Sequence, residues 1–304
     1  MIQTLTLENF RNYETAHLTF DPAVNLIVGE NAQGKTNLLE AAAALSSLKL
    51  FRTAQKKEGL RFGTDHGRII GTFDVENRDI TLEMRLHRDR TLEVFQNGIR
   101  LRRQSEARGI LRTVLFCPAD LFLVRAGAAA RRRFLDAALC QLRPQYAGIL
   151  AEYERVLGHK LRILKDSEEK PALLDLLDDF TLRLCRLGAR IIRYRAYYIR
   201  KLGQCAGALH AEAAPHETLT CCYQTVSGVT DPYASAAVIE VQLQNHAFAH
   251  RAAEIAARSC LSGPHKDDLV LHLGGVSASS YASQGQARTA ALSLKLADRQ
   301  LFLD

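Results

Sequence analysis

The chain has no apolar run of the ~18–20 residues that a membrane-spanning helix needs. Its first residues, Met1-Ile2-Gln3-Thr4-Leu5-Thr6, lack the basic and apolar regions of a secretory signal. Together these absences predict a cytoplasmic chain with no membrane contact. None of the seven cysteines, at 117, 140, 185, 205, 221, 222 and 260, belongs to a C-x-x-C pair. That argues against a zinc knuckle or a redox pair and for free, partly buried thiols. His246 and His250 stand four apart, but no glutamate occupies the metalloprotease position between them. A solvated helix face is the expectation there. No internal repeat and no low-complexity tract is present.

What the chain does have is enough length, at 304 residues, for two domains or one large one, with an ordinary 47% hydrophobic content. The net charge of +7 is compatible with a nucleic-acid partner and does not establish one. Arginine dominates the basic set, and its planar fork suits phosphate.

The organising stretch is Gly29-Glu30-Asn31-Ala32-Gln33-Gly34-Lys35-Thr36, a G-x-x-x-x-G-K-T phosphate-loop pattern. Apolar Asn25-Leu26-Ile27-Val28 precedes it, and Asn37-Leu38-Leu39-Glu40 with four alanines follows, so strand, loop and helix stand in the order the motif requires. The two glycines let the backbone turn with no Cβ in the way. The loop N–H groups and the helix N-terminus then face a phosphate chain. Lys35 supplies a full positive charge, and Thr36 a hydroxyl ligand for Mg²⁺.

The sequence divides into a β-rich lobe over 1–116 and a mostly helical part over 117–304. Strands are expected at Ile2–Leu7, Ala16–Phe20 and Val24–Val28, and the loop helix to about Leu50. A meander follows at Ile69–Val75, Ile80–Leu86 and Thr91–Phe95, with Asn97-Gly98 as a hairpin signal. Thr113–Phe116 reads as a further buried strand. Helices are expected at Ala129–Leu142, Gln145–Lys165, about Ala172–Leu202 and about Ala234–Arg258, with a β-like segment at Thr218–Gln224.

The long helix carries two stripes. Leu184, Leu187, Ile191, Tyr194, Tyr198 and Leu202 form an apolar one, and Arg183, Arg186, Arg190, Arg193 and Arg200 a basic one. The basic stripe either tracks a phosphate backbone or is a solvated face paired with Asp175, Asp178 and Asp179. Arg131-Arg132-Arg133 opens another helix, where the dipole disfavours cations. That placement hints at an anionic partner, with pairing to Asp120 or Asp136 as the alternative.

Near the end, Ser283-Gln284-Gly285-Gln286 opens a helix. A serine hydroxyl and an unhindered glycine backbone at a positive helix end suit an anion. The tetrapeptide resembles the signature motif of ATP-binding-cassette ATPases. There it contacts ATP held by the other subunit, which implies an ATP-dependent homodimer.

Five blocks in order resemble the RecF family of bacterial recombination mediators, across essentially the whole chain. They are Asn9-Phe10-Arg11-Asn12-Tyr13; Gly29 through Glu40; Pro118-Ala119-Asp120-Leu121 with Arg131 through Asp136; Leu261-Ser262-Gly263-Pro264-His265-Lys266-Asp267-Asp268-Leu269; and Ser283 through Ala297. The resemblance implies an α/β fold: an ABC/SMC-type ATPase head with an antiparallel β meander and an inserted α-helical arm. It implies ATP and Mg²⁺ as cofactors, with a slow DNA-stimulated ATPase. It implies ATP-dependent binding of DNA at single-strand gaps, work with RecR and RecO, and help to RecA. DNA-contact candidates are Arg52, Arg61, Arg131, Arg132, Arg133, Arg183, Arg186, Arg190 and Arg193.

Two departures stand out. The family's Pro-Glu-Asp reads Pro118-Ala119-Asp120 here. The Walker B acids that would follow the signature helix are not found, since Leu301-Phe302-Leu303-Asp304 reads as a continuation of that helix. The expectation is therefore a sheet without its C-terminal part, no assignable catalytic residue, and nucleotide binding with little turnover. A non-catalytic fragment, or an SMC-like scaffolding ATPase without a direct DNA role, is the alternative.

Overall fold

A computed structural model describes every residue except Ala54, Glu76, Arg108, Ser227 and Asp304, and it leaves the side chains of Lys56, Gln104 and Ser105 undescribed. The chain divides into two compact units, Met1–Leu115 and Phe116–Asp304.

In the first unit, β1 (Ile2–Phe10), β2 (Tyr13–Thr19), β3 (His66–Val75), β4 (Arg78–His87), β5 (Glu93–Gln96) and β6 (Ile99–Arg100) form one antiparallel sheet. Its order is β2-β1-β3-β4-β5-β6. Alternation sends Leu5 and Leu7, Ile69 and Phe73, and Leu82, Met84 and Leu86 to a buried side. The helix α1 (Lys35–Ser47) joins that core through Leu38, Ala41, Ala44 and Leu45. Gly71 on β3 permits the approach, because a Cβ there would stand 2.6 Å from Leu45 Cδ1. α1 stops at Ser47, short of the expected Leu50, where Leu48 turns to φ +55° and closes on the Ala44 carbonyl at 2.7 Å. Asn97 and Gly98 take φ of +50° and +77°, as a type I′ hairpin requires.

Two expected strands do not form. Residues 24–28 have no ladder partner among the described residues, and Val24, Leu26 and Val28 are 82%, 85% and 75% exposed. A strand exists only when a neighbour supplies the other half of its ladder. The preceding turn is instead closed locally. Asp21 N–H donates to Asn25 Oδ1 at 2.8 Å, and Asn25 Nδ2 donates to the Asp21 carbonyl at 2.8 Å. Thr113–Phe116 forms no strand either; the Thr113 hydroxyl donates to Ser46 Oγ at 2.8 Å.

The second unit holds α2 (Ala128–Leu142), α3 (Pro144–Asp166), α4 (Leu177–Ala213), α5 (Ala236–Ala249), α6 (Arg251–Ala257), α7 (Ala278–Tyr281) and α8 (Gln284–Leu303). A small antiparallel sheet joins β7 (Leu219–Gln224), β8 (Asp268–Leu273) and β9 (Val276–Ser277) in that order. The last two strands were not expected. Leu269, Leu271 and Leu273 alternate inward along β8, and Gly274-Gly275 makes the turn at φ +56° and +84°.

α4 is the spine, about 55 Å long at ~1.5 Å per residue, and it packs against α3, α5, α8 and β7. It starts later than expected, after a 3-10 turn at Pro171–Leu176, and runs on to Ala213. Its apolar stripe is buried at Leu184, Leu187, Ile191, Tyr198 and Leu202. The single helix expected over 234–258 is broken at His250, which stacks on His246 at 4.1 Å. His246 Nδ1 lies 2.6 Å from Ser262 Oγ, so the pair is not the plain solvated face expected. All seven cysteines are free thiols. Leu301, Phe302 and Leu303 continue α8, and Asp304 lies outside the described residues. Among the described residues no helix is long and apolar enough to cross a membrane.

Candidate functional site

Gly29 to Lys35 form the turn into α1, with Gly29 at φ +151°, Ala32 at +68° and Gly34 at +104°. The helix starts when Asn37 and Leu38 N–H close on the Gly34 carbonyl at 2.8 and 3.0 Å. Upstream of them, a turn at Asn31-Ala32 brings the Gln33 N–H toward the Glu30 carbonyl, and the N–H groups of Glu30, Asn31, Ala32 and Gly34 have no acceptor among the described residues. Glu30 to Gln33 are exposed. Lys35 Nζ folds back on the loop, donating to the Gly29 and Glu30 carbonyls at 2.5 and 2.7 Å. The Thr36 hydroxyl is exposed with no partner among the described residues. The result is a positive, donor-rich cradle with an ammonium at its mouth, which fits a chain of phosphates.

A bracket from the first strands holds this cradle. Asn12 Nδ2 donates to the Gln33 carbonyl at 3.0 Å, and Asn37 Nδ2 donates to Asn12 Oδ1 at 2.8 Å. A Cβ on Gly34 would lie 2.6 Å from the Asn12 side-chain amide, so only glycine fits there. Below it, the fully buried Glu40 receives Arg11 Nε at 2.9 Å and the Arg52 N–H at 3.0 Å. Arg52 also donates through its guanidinium to Asn37 Oδ1 at 2.7 Å. Arg52, a DNA-contact candidate by sequence, is thus tied into the loop's support. Asn12, Asn37 and Glu40 were not singled out as site residues. Their signal lay only in the blocks they belong to.

In the second unit, Ser283 caps α8 reciprocally with Gln286. The Gln286 N–H donates to Ser283 Oγ at 3.2 Å, and the Ser283 N–H donates to Gln286 Oε1 at 2.8 Å, a capping box. Residues 283 to 286 are exposed, and a Cβ on Gly285 would meet nothing closer than Ser283 Oγ at 4.0 Å. Gln286 Nε2 donates to Glu217 Oε2. Glu217 Oε1 lies 2.9 Å from Nε2 of the buried His210, whose Nδ1 is 3.3 Å from Ser293 Oγ. This chain of contacts fixes the first turn of α8 and leaves the serine hydroxyl hydrogen free to donate outward.

The arginine candidates separate by environment. Arg131 is buried and bidentate to Asp268, at 2.9 and 2.5 Å. It is therefore committed inside the fold, not to a nucleic-acid backbone, and its partner is neither Asp120 nor Asp136. Arg132 donates to the Asp267 carbonyl at 2.6 Å, and burial lowers its pKa from the ordinary value. Arg133 is exposed. Asp120 instead pairs with Lys295 at 3.0 Å and accepts the Cys117 N–H at 2.8 Å. Asp136 receives Arg195 at 2.9 and 2.8 Å. Arg61 meets Glu14 at 3.3 Å, Arg183 meets Glu152 at 3.3 Å and Arg186 meets Glu240 at 3.7 Å. The stripe's carboxylates come from α3 and α5 rather than from Asp175, Asp178 and Asp179; Asp178 pairs with Arg251 at 2.9 Å. Arg190 and Arg193 have no carboxylate partner among the described residues.

The block from Leu261 to Leu269 is a buried polar junction. Asp267 is fully buried, accepts the Tyr223 hydroxyl at 2.7 Å, and has its pKa raised by burial. His265 sits between Tyr153 and the Cys260 carbonyl at 2.7 and 3.1 Å, and burial pushes its pKa down to about 4.

The family model described as the RecF/RecN/SMC N terminal domain matches residues 1–302. A DNA replication and repair protein RecF from Synechococcus sp. (strain JA-2-3B'a(2-13)) is 38% identical over 99% of this chain and 80% of its own length. The RecF of Bacillus subtilis (strain 168) is 37% identical over 99% of this chain and 81% of its own. A solved structure of the recombination mediator protein RecF with ATP, in the RecFOR pathway, superposes with a TM-score of 0.94. It is 31% identical over 99% of this chain and 80% of that one. An Smc head domain from Pyrococcus furiosus, 13% identical, superposes with a TM-score of 0.53 over 99% of this chain and 79% of that chain, a likeness of fold alone. With its phosphate loop, its capped signature helix and all five blocks in place, this chain belongs to the RecF family, within the SMC-type ATPases.

Proposed function

We propose that the chain binds ATP at Gly29–Thr36, with Mg²⁺ held through the Thr36 hydroxyl, and that Ser283–Gln286 of a second copy close on the same nucleotide. The observation that carries this reading is the glycine-turned loop, open at the N–H groups of Glu30, Asn31, Ala32 and Gly34, with Lys35 turned onto the loop's own carbonyls. Those carbonyls are weak acceptors for an ammonium, and a phosphate oxygen is a stronger, charge-assisted one. Ser283 can cap α8 with its lone pairs while donating its hydrogen to an anion, and Gly285 lets the helix end come close. Bound Mg²⁺ supplies charge neutralisation at the phosphates.

The solved RecF with ATP supports the nucleotide, and its RecFOR context supports RecR and RecO as partners; RecA acts downstream in this reading. The function in this reading is that of an ATP-controlled, cytoplasmic DNA-binding mediator at single-strand gaps. Its arginines without a carboxylate, exposed Arg133 and Arg190 and half-buried Arg193 foremost, meet the nucleic acid.

The test is dimerisation measured by light scattering with ATP, beside ATP affinity measured on the monomer. Lys35→Ala should weaken ATP binding by about tenfold or more, the loss of a charge-assisted bond. Ser283→Arg should abolish ATP-promoted dimers while the monomer still binds ATP. Dimers persisting in Ser283→Arg would overturn the contact in trans.

A further inference from the structure

Along α4 the basic stripe changes character. Arg183 and Arg186 have carboxylates opposite them, and one turn further on the acids stop. There a cavity of about 480 Å³ opens, lined by Arg143, Arg190, Arg193, Tyr194, Tyr197 and Ala236. Three guanidinium groups share it, and none of its lining residues is acidic. Like charges gathered without a counter-charge favour an anion in their midst. Arg193 adds a sharper sign: its Nε is buried and has no acceptor. Buried donors are almost always satisfied, so this orphan sets Arg193 apart from the paired arginines of the same helix.

The rest of the lining says what kind of anion. Neither Tyr194 nor Tyr197 has a hydrogen-bond partner for its hydroxyl among the described residues. Tyr197 is 39% exposed, packs edge-on against Tyr233 at 5.5 Å, and has the Arg200 guanidinium 4.8 Å from its ring centre. Inorganic phosphate would use the cations and leave the rings idle. A duplex would present its backbone and keep its bases stacked away. An unpaired nucleotide uses both parts, its phosphate on arginine and its base on tyrosine or on a guanidinium plane. The volume suits a ligand of that size.

We infer that this pocket on α4 takes one unpaired nucleotide of a single strand, with Arg143, Arg190 and Arg193 on the phosphate and Tyr197 against the base. The inference rests on the DNA-binding reading above and assigns that reading a place and a preference for unpaired bases.

The test uses the full chain, with fluorescence anisotropy on labelled oligothymidine of about 20 nucleotides, longer than a usual single-strand site, and on a duplex of equal length. Tyr197→Ala should weaken single-strand binding about tenfold, the effect of losing one base stack. Duplex affinity should stay within about twofold, and Tyr197→Phe should keep the ring's contribution. Arg193→Gln should weaken single-strand binding and lower its salt slope by about one. A 5-iododeoxyuridine strand should photo-cross-link to the peptide carrying Tyr194 and Tyr197. Equal losses on both DNA forms, no loss in Tyr197→Ala, or cross-links only elsewhere would overturn the pocket and leave the DNA reading standing. A wild-type chain that binds neither DNA form would overturn both. Binding of inorganic phosphate alone, with no gain from a base, would reassign the site as a plain anion pocket.

Discussion

Arg193 and Arg195 stand two residues apart on α4 and serve opposite ends. Two positions on an α-helix are about 200° apart, so one faces out when the other faces in. Arg195 is 3% exposed and bidentate to Asp136, and it donates again to the Pro264 carbonyl at 2.7 Å. Burial alone would lower its pKa, but Tyr146 and Asp136 offset this and hold it well above the ordinary value. Arg193 lines the open cavity with no carboxylate and an unpartnered Nε. Charge content is the same in both. What separates a structural arginine from a ligand-seeking one is whether the fold has already supplied the anion.

The largest test of that contrast is Arg195→Ala. It leaves the half-buried Asp136 with only the Tyr146 hydroxyl and the charge of Arg132 nearby and frees the Pro264 carbonyl, so unfolding by urea should show a loss of about 3 kcal/mol. Arg193→Ala should change stability by less than ~0.5 kcal/mol, because it removes no carboxylate pair, only a loose contact of the guanidinium with the Tyr197 ring at 5.9 Å. A comparable loss in both would erase the distinction drawn here.

The same contrast can be taken from the acid's side. Asp136 and Asp268 have arginines, whereas the buried Asp298 has the Tyr198 hydroxyl and only the more distant charge of Lys295. Burial raises its pKa from 3.8 to about 6, partly relieved by Tyr198 and then Lys295. The folded state thus holds this proton more tightly than the unfolded one. The associated stability is fully present below pH ~4 and lost as pH rises through about 6. Asp298→Asn keeps an acceptor for Tyr198 and removes the charge. It should stabilise the protein at pH 8 by about 3 kcal/mol and flatten this group's contribution between pH 4 and 6. An unchanged slope there would mean that Asp298 is better compensated than its contacts show.

The same distinction governs what could be read from sequence. The glycine turn into α1 and the helix start at Ser283 were legible because their patterns are local, within eight and four residues. Most of the meander was legible because alternation is local too. The bracket around the loop was not: Asn12, Asn37 and Glu40 act through partners 12 to 29 residues away. Residues 24–28 were misread because apolar composition says nothing about whether a neighbouring strand lies alongside. β8 was missed because its short alternating run completes its ladder with β7, whose Tyr223 lies opposite Leu269 with two helices between them in sequence. Arg131 looked like part of a surface triplet, yet one rotation of α2 turns it onto Asp268 while Arg133 stays in solvent.

The smallest expected effect sharpens the boundary between the two kinds of arginine. Arg186 has a carboxylate, Glu240, but at 3.7 Å and with its side chain 78% exposed. Proximity alone would class it with Arg195. Solvent screening and the entropy of a long side chain put it with Arg193 instead, because exposed pairs contribute ~0–1 kcal/mol. Arg186→Ala should therefore leave the urea midpoint nearly unmoved, and what little is lost should vanish in high salt, where exposed pairs are screened. A salt-insensitive loss of more than ~1 kcal/mol would show that the pair is more sheltered than its exposure implies. The dividing line along α4 would then fall between Arg186 and Arg190, where the acids end, and not between the buried face and the exposed one.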